Sequence, residues 1–425
     1  MKLYSTMSRQ LEELPPPPGP VRMYFCGPTV YQRAHIGNAR PFVLGMWLRS
    51  WLRAQGYDVT LVHNITDIND KIYEAAVADG WGASAELAER ATRWYLEDTA
   101  HLGLGMPDEL PRATEAIPQI VAFIEKLVDR GNAYVADGDV YFSVASDPGY
   151  GRLSRQRVEH MEPEESNALK RAPQDFALWK ANKPGEDTWW ESPWGRGRPG
   201  WHIECSAMAE DAFGPAFEIH GGGLDLVFPH HENEVAQSQA LGHDFAHIWT
   251  HNGLLTSGGE KMSKSLGNDT TIRGVIDAWG REVVLLYFLT AHWRKPIDFT
   301  ESTLEHAKAQ VEKFRNVFVQ PDEPGADWAA FEAALEDDFN TPEALAVLHG
   351  WRDHALLRRA LSVFGLGSLA ERAEAPAEVV ALAEARQRAR EAKDFSESDR
   401  LRDELAVAGW EVRDVAGSFE LVPKA

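Results

Sequence analysis

Apolar and polar positions change period several times along the chain, and each change predicts an element. Residues 21–26 alternate and are rich in β-formers, so they predict a strand, which Gly27-Pro28 ends. From 36 to 55, Leu44, Leu48, Trp51 and Leu52 fall on one face of a helical period. Residues 59–64 predict the next strand. Strand, turn, helix and strand make a parallel βαβ unit, the opening of a doubly wound nucleotide-binding sheet. Helical periodicity continues over 70–130. Residues 134–194 switch to short strands, Pro/Gly turns and many aromatics, which predicts an insertion between two halves of the sheet. A further strand at 217–220 runs into Gly221-Gly222-Gly223, followed by a helix at 229–241 and a loop-rich stretch at 249–268. From 302 onward helical patterns dominate, broken by a Pro/Asp/Gly linker at 320–327. A strongly charged helix at 377–406 and alternation over 410–422 predict a small terminal sheet.

Length adds that 425 residues exceed one ordinary domain, with about two to four expected. The formal net charge of -22 argues against nucleic-acid binding through bulk positive charge. A folded RNA can still be recognised locally by shape, stacking and a few basic contacts. No apolar run is long enough to span a bilayer and no charged, apolar leader opens the chain, so a cytoplasmic location without a membrane partner is expected. The two cysteines, Cys26 and Cys205, read without context as buried thiols.

Two short segments carry chemistry. His35-Ile36-Gly37-Asn38 stands at the strand-to-helix turn, where unpaired N–H groups and the helix dipole attract phosphate. Gly37 permits close approach of a ligand, and His35 can donate to a phosphate or ribose oxygen. Lys261-Met262-Ser263-Lys264-Ser265 lies in a Gly-flanked loop whose two cations could stabilise a departing pyrophosphate. Each alone is commonplace, since most such histidines sit in turns and most loop lysines are solvated. The pair, in this order around a split sheet, is far more specific.

These segments resemble the two hallmark motifs of class I aminoacyl-tRNA synthetases. The resemblance implies that His35, Gly37, Asn38, Lys261 and Lys264 handle ATP, with Lys264 stabilising the pyrophosphate leaving group. One departure is Asn38, where the family's most familiar motif ends in His.

Residues 23–31, 200–208, 220–225 (His-Gly-Gly-Gly-Leu-Asp) and 230–234 (His-His-Glu-Asn-Glu) are similar to the cysteine-specific branch of that family. The branch pattern implies one zinc ion per chain, held by Cys26, Cys205, His230 and Glu234. Independently, His230 and Glu234 are four apart and share a helix face, and two S, one N and one O donor make a four-ligand zinc site. His231 is the rival of His230; of two adjacent residues only one is expected to face the metal. A substrate thiol could bind zinc as thiolate, which serine cannot imitate, so no editing domain is needed. The resemblance further implies Thr29, Trp201 and Asp225 as substrate contacts, although core tryptophan and turn aspartate are the ordinary roles of the last two. In 64–72 the branch commonly has Asp where this chain has Asn69.

The implied architecture is a split Rossmann-like α/β catalytic domain with an insertion, followed by a mostly helical C-terminal region. Its divisions are 1–115 and 201–255 for the two catalytic halves, 116–200 for the insertion and 256–305 for the lysine loop and stem contacts. A helical domain would occupy 306–370, with a shortened hairpin at 352–367, and an anticodon-reading region 371–425. The implied reaction is cysteine activation by ATP, with magnesium, then transfer to the 3′ end of a tRNA by a monomeric enzyme. Two other readings stand: a cysteine ligase of the mycothiol-pathway type acting on an amino sugar, and a non-catalytic RNA-binding paralogue. The candidate terminal tail argues against the first, and intact lysines and metal donors against the second.

Overall fold

The computed structural model describes residues 1–162, 167–257, 260–261, 270–371, 375–415 and 418–423. The chain divides into two compact units, Met1–Ser368 and Leu369–Ala425.

The first unit opens with an antiparallel hairpin, β1 (Lys2–Ser5) and β2 (Gln10–Glu13). β3 (Pro20–Phe25) follows, and its largely apolar sequence suits a strand buried on both faces. α1 (Ile36–Ala54) starts at His35, whose ring accepts a hydrogen bond from the Gly37 N–H at 3.1 Å. Leu44, Leu48, Trp51 and Leu52 are all buried on it, as their spacing predicts. β4 (Asp58–His63) then pairs parallel with β3.

α2 (Asp70–Asp79) is capped by Asn69, whose side chain accepts from the Lys71 N–H at 3.1 Å. Asparagine caps as well as aspartate, which accounts for the residue found there. After α3 (Ser84–Ala100) the chain departs from the expected helical run. Residues 109–112 run alongside β4 through isolated parallel bridges, with the His63 N–H donating to the Glu109 carbonyl at 3.0 Å and the Ile65 N–H to the Pro111 carbonyl at 2.9 Å. Pro107 and Pro111 exclude a helix there.

α4 (Ile117–Asp129) leads into the insertion, an antiparallel sheet in the order β5 (Ala133–Ala136), β6 (Asp139–Phe142), β7 (Phe176–Ala181), β8 (Gly197–Pro199). α5 (Trp201–Phe213) returns the chain to the main sheet, where β9 (Ala216–Gly223) pairs parallel with β3. Gly221 has to be glycine, because a Cβ would sit 2.4 Å from the Phe25 ring. α6 (Glu232–Ala240) and β10 (Phe245–Asn252), parallel to β9, complete it. The order is therefore β10-β9-β3-β4, with residues 109–112 bridged to the far edge of β4. Successive strands are added outward in opposite directions from β3 and β9, β4 on one side and β10 on the other, so a crevice opens between these two parallel strands past their C-terminal ends.

Beyond β10, where the pattern predicted loop, β11 (Leu255–Ser257) pairs antiparallel with β12 (Glu260–Lys261) and parallel with β13 (Ile297–Asp298). Helices α7 (Ile272–Trp279), α8 (Arg281–Leu289), α9 (Glu301–Val317), α10 (Trp328–Glu336), α11 (Thr341–His349) and α12 (His354–Val363) follow. The expected hairpin at 352–367 is the single helix α12, ended by Gly365 at φ 75°.

In the second unit α13 (Ala377–Glu391) and α14 (Phe395–Val407) pack against an antiparallel pair, β14 (Trp410–Val415) and β15 (Ser418–Pro423). The expected continuous helix is broken by Lys393 at φ 62°, after which Asp394 caps α14. Its core is Val379, Ala383, Leu405 and Val412.

Candidate metal centre and nucleotide site

At the crevice, Cys26 follows β3, Cys205 lies on α5, and Glu234 stands in the first turn of α6. Donor atoms of Cys26, His230, His231 and Glu234, all buried, lie within 4.8 Å of one another. Cys205 Sγ is 3.7 Å from Cys26 Sγ. Glu234 Oε1 is 3.1 Å from His230 Nε2, 3.6 Å from Cys26 Sγ and 3.9 Å from His231 Nε2. The structure thus brings Cys26, Cys205, His230 and Glu234 together.

The expectation that only one histidine faces this centre is overturned. Residues 229–241 are not one regular helix: Val227–His231 is a wide turn with Phe228 extended at φ -141°, and α6 begins only at Glu232. His230 turns toward α5, stacking on Trp201 at 4.3 Å and meeting His202 Nδ1 at 3.0 Å. His231 turns toward the sheet, with Nδ1 2.6 Å from His251 Nε2 and Nε2 3.3 Å from Cys26 Sγ.

Two supporting residues received no role from the sequence. His220 Nε2 lies 2.8 Å from Glu234 Oε2, which leaves Oε1 aimed at the cluster, and Trp249 stacks on the His220 ring at 4.5 Å. Asn64 accepts the Gly27 N–H at 2.9 Å and so fixes the chain beside Cys26. The signal available was polar residues at the C-terminal ends of strands that are otherwise apolar.

Burial pushes the Cys26 thiol well above the usual thiol range, and Cys205 and Glu234 push the same way. Burial holds both His230 and His231 well below the ordinary imidazole range. Neutral imidazoles are ready to coordinate, whereas thiols in such surroundings ionise only when a cation replaces their protons. Two sulfurs, imidazole and one carboxylate fit a borderline-soft divalent cation and not calcium or magnesium.

At the start of α1, His35 Nδ1 accepts the Gly37 N–H, so the ring proton sits on Nε2. That nitrogen is buried without a partner among the described residues, and burial lowers the ring's pKa. A neutral donor therefore stands at the N-terminus of α1 beside Gly37 and Asn38. Thr29 is half-buried and bridges to Thr66, on the neighbouring loop. Trp201 is half-buried against His230, a wall position rather than a core one. Asp225 is exposed on the turn after the glycine run. Lys261 is placed by its backbone in β12, and Lys264 lies outside the described residues.

Residues 14–309 match the family model for tRNA synthetases class I (C) catalytic domain, 330–355 that for the DALR domain, and 372–419 that for the cysteinyl-tRNA ligase anticodon binding domain. The cysteine–tRNA ligase of Laribacter hongkongensis is 45% identical over 452 residues, covering 98% of both chains. That of Azotobacter vinelandii is 46% identical over 454 residues, covering 97% of both. Among solved structures, Mycobacterium tuberculosis methionyl-tRNA synthetase in complex with methionyl-adenylate superposes with TM-score 0.60 at 14% identity, covering 82% of this chain and 88% of that one. The LeuRS of Agrobacterium radiobacter K84 in its ternary complex with tRNA and LeuAMS gives TM-score 0.56 at 12% identity, over 83% and 82%. At those identities the two structures share the fold alone with this chain.

Proposed function

We propose, from the premise that the chain belongs to the cysteine–tRNA ligase family of class I aminoacyl-tRNA synthetases, that its buried Cys/His/Glu cluster holds one zinc ion. The reaction is that of the family: cysteine and ATP give cysteinyl-adenylate and pyrophosphate, and cysteine then passes to the 3′ end of tRNA. The match to an anticodon-binding domain favours tRNA over an amino sugar as acceptor.

The observation that carries the zinc reading is the convergence of Cys26, His230, His231 and Glu234 donors at the crevice, with Cys205 beside them. Cys26, Cys205, His230 and Glu234 are the ligands in this reading. Zinc, when bound, supplies a Lewis acid that favours a deprotonated thiol over the serine hydroxyl. His220 keeps Glu234 oriented, and Trp201 walls the pocket beside His230. Asp225 and Thr29 take the polar groups of cysteine or the ribose. His35 donates from Nε2 to ATP, Gly37 and Asn38 receive its phosphates, and Lys261 and Lys264 stabilise the departing magnesium-bound pyrophosphate. No protein nucleophile is needed, so the residues act by positioning and electrostatics. No helix among the described residues is long and apolar enough to cross a membrane. We place the reaction in the cytoplasm and assign it to a monomer with the divisions expected from the sequence.

A second ligand set, with His231 replacing His230, is favoured by the 3.3 Å approach of His231 to Cys26. Zinc content and tRNA charging with cysteine and with serine test both. Cys205→Ser should lose zinc and discriminate less against serine; full zinc content would refute the assignment. His230→Ala should lose more zinc than His231→Ala, and the reverse order selects the second set.

A further inference from the structure

Arg40 lies on α1, one turn beyond Gly37, and is only 4% exposed. Its Nη1 donates to the Gly253 carbonyl and, at 3.5 Å, to that of Leu254; Nη2 donates to the His292 carbonyl at 3.3 Å. Among the described residues it makes no ion pair. Burial lowers its pKa to about 10, and the other influence on its charge is the Tyr287 hydroxyl. It therefore stays cationic at neutral pH, although buried charges are ordinarily matched by an opposite charge.

The three carbonyls mark a junction. Gly253 and Leu254 connect β10 to β11, whose hairpin with β12 carries Lys261. His292 opens the segment returning to β13. The two connecting segments lie tightly together: the Gly253 N–H donates to the Trp293 carbonyl at 2.8 Å, and a Cβ on Gly253 would sit 2.2 Å from the Lys295 carbonyl. Farther along, the Ile272 N–H donates to the Ala34 carbonyl at 3.0 Å, and His35 bridges to Thr271. Chain on both sides of the lysine motif is thus fastened to the start of α1, at Arg40 and beside His35.

We infer that Arg40 is a positioning residue for adenylate formation, which sets the Lys261 hairpin in register with the phosphate-binding end of α1 and leaves a positive charge there for the triphosphate to balance. The inference rests on the reading of that end as the ATP site. Arginine is needed because its planar fork reaches carbonyls on two segments at once from separate nitrogens; lysine keeps the charge, but its donors share one compact nitrogen that does not span both segments.

The test is cysteine-dependent ATP–pyrophosphate exchange with the full-length protein, unaltered and as Arg40→Lys and Arg40→Met. Arg40→Lys should lower kcat about tenfold or more with the KM for cysteine and the zinc content within twofold of the unaltered protein. Arg40→Met should fall further and also raise the KM for ATP; if it does not fold, Arg40→Lys decides. An Arg40→Lys kcat within twofold of the unaltered value overturns the proposal, as does a fall in kcat matched by equal losses of cysteine affinity and zinc. Absence of exchange in the unaltered protein overturns the ATP-site reading and the proposal with it.

Discussion

Replacing Gly27 by alanine is the smallest change with a large expected consequence. A Cβ at that position would lie 1.6 Å from the Asn64 carbonyl oxygen, so roughly 1.8 Å must be found to restore an ordinary contact. Asn64 cannot supply it. It is fully buried, and the residues on either side are hydrogen-bonded to Glu109 and Pro111. The chain at Cys26–Gly27 must move instead, breaking the 2.9 Å bond from the Gly27 N–H to Asn64 Oδ1. Overpacking costs about 1–3 kcal/mol and an unmet buried hydrogen bond about 1–3 more, giving roughly 2–6 kcal/mol of lost stability. Because metal–ligand distances tolerate only about 0.2 Å, the shift at Cys26 should also weaken zinc binding out of proportion to stability. Denaturant unfolding and chelator competition measure the two effects separately. Gly19→Ala is the control, since its Cβ would meet the nearest atom at 3.8 Å. A Gly27→Ala protein with unchanged zinc affinity and stability would refute the argument.

Other outcomes follow from single residues. Lys264→Ala should slow adenylate formation by about 100-fold while leaving cysteine affinity intact; loss of affinity at an unchanged rate would contradict its role. Burial lowers the His63 pKa from 6.5 to about 4, and the ring shares a 2.7 Å hydrogen bond with the Tyr95 hydroxyl. The unfolded chain then gains a proton between pH 6.5 and 4 that the folded chain refuses. Stability present above pH 6.5 should therefore fall by roughly 3 kcal/mol on acidification to pH 4. Melting curves across that window, with His63→Gln flattening the slope, check it; an unaltered slope in the variant would count against it. His35→Ala should lower exchange while leaving zinc bound, and simultaneous loss of zinc would show that the two halves of the crevice are not separable.

Period and breakers in the sequence were enough for β3, α1 and β4, because each is decided by local spacing; His230 does meet Glu234, but from the turn before α6 and not along a shared helix face. The segment at 109–112 was not legible: it has little alternation, and its isolated bridges are made only because β4 offers an edge there. Lys393 at φ 62° interrupts a charge pattern that looks continuous, because helical periodicity does not register a single left-handed residue. The two-sided approach of His230 and His231 depends on the wide turn before α6, which no i, i+4 argument contains. His220 and Asn64 stood in plain view as residues; what they contact is long-range in sequence, with Asn64 reaching Gly27 and Glu234 reaching both His220 and Cys26.

The sheet order has a consequence in time. β3 has β4 as one neighbour, made soon after it, but its other neighbour is β9, which arrives only after α2 to α5 and the whole insertion have been synthesised. At the usual pace of translation, β3 waits roughly 10–40 s with one edge unpaired. Cys26 waits with it, since Cys205, His230 and Glu234 all emerge later. A nascent chain stalled within the insertion would hold half a sheet and a solitary metal donor, exposing the strand edge that invites aggregation. In the zinc reading, a complete donor set therefore exists no earlier than the synthesis of Glu234, just after β9 becomes available to close the sheet.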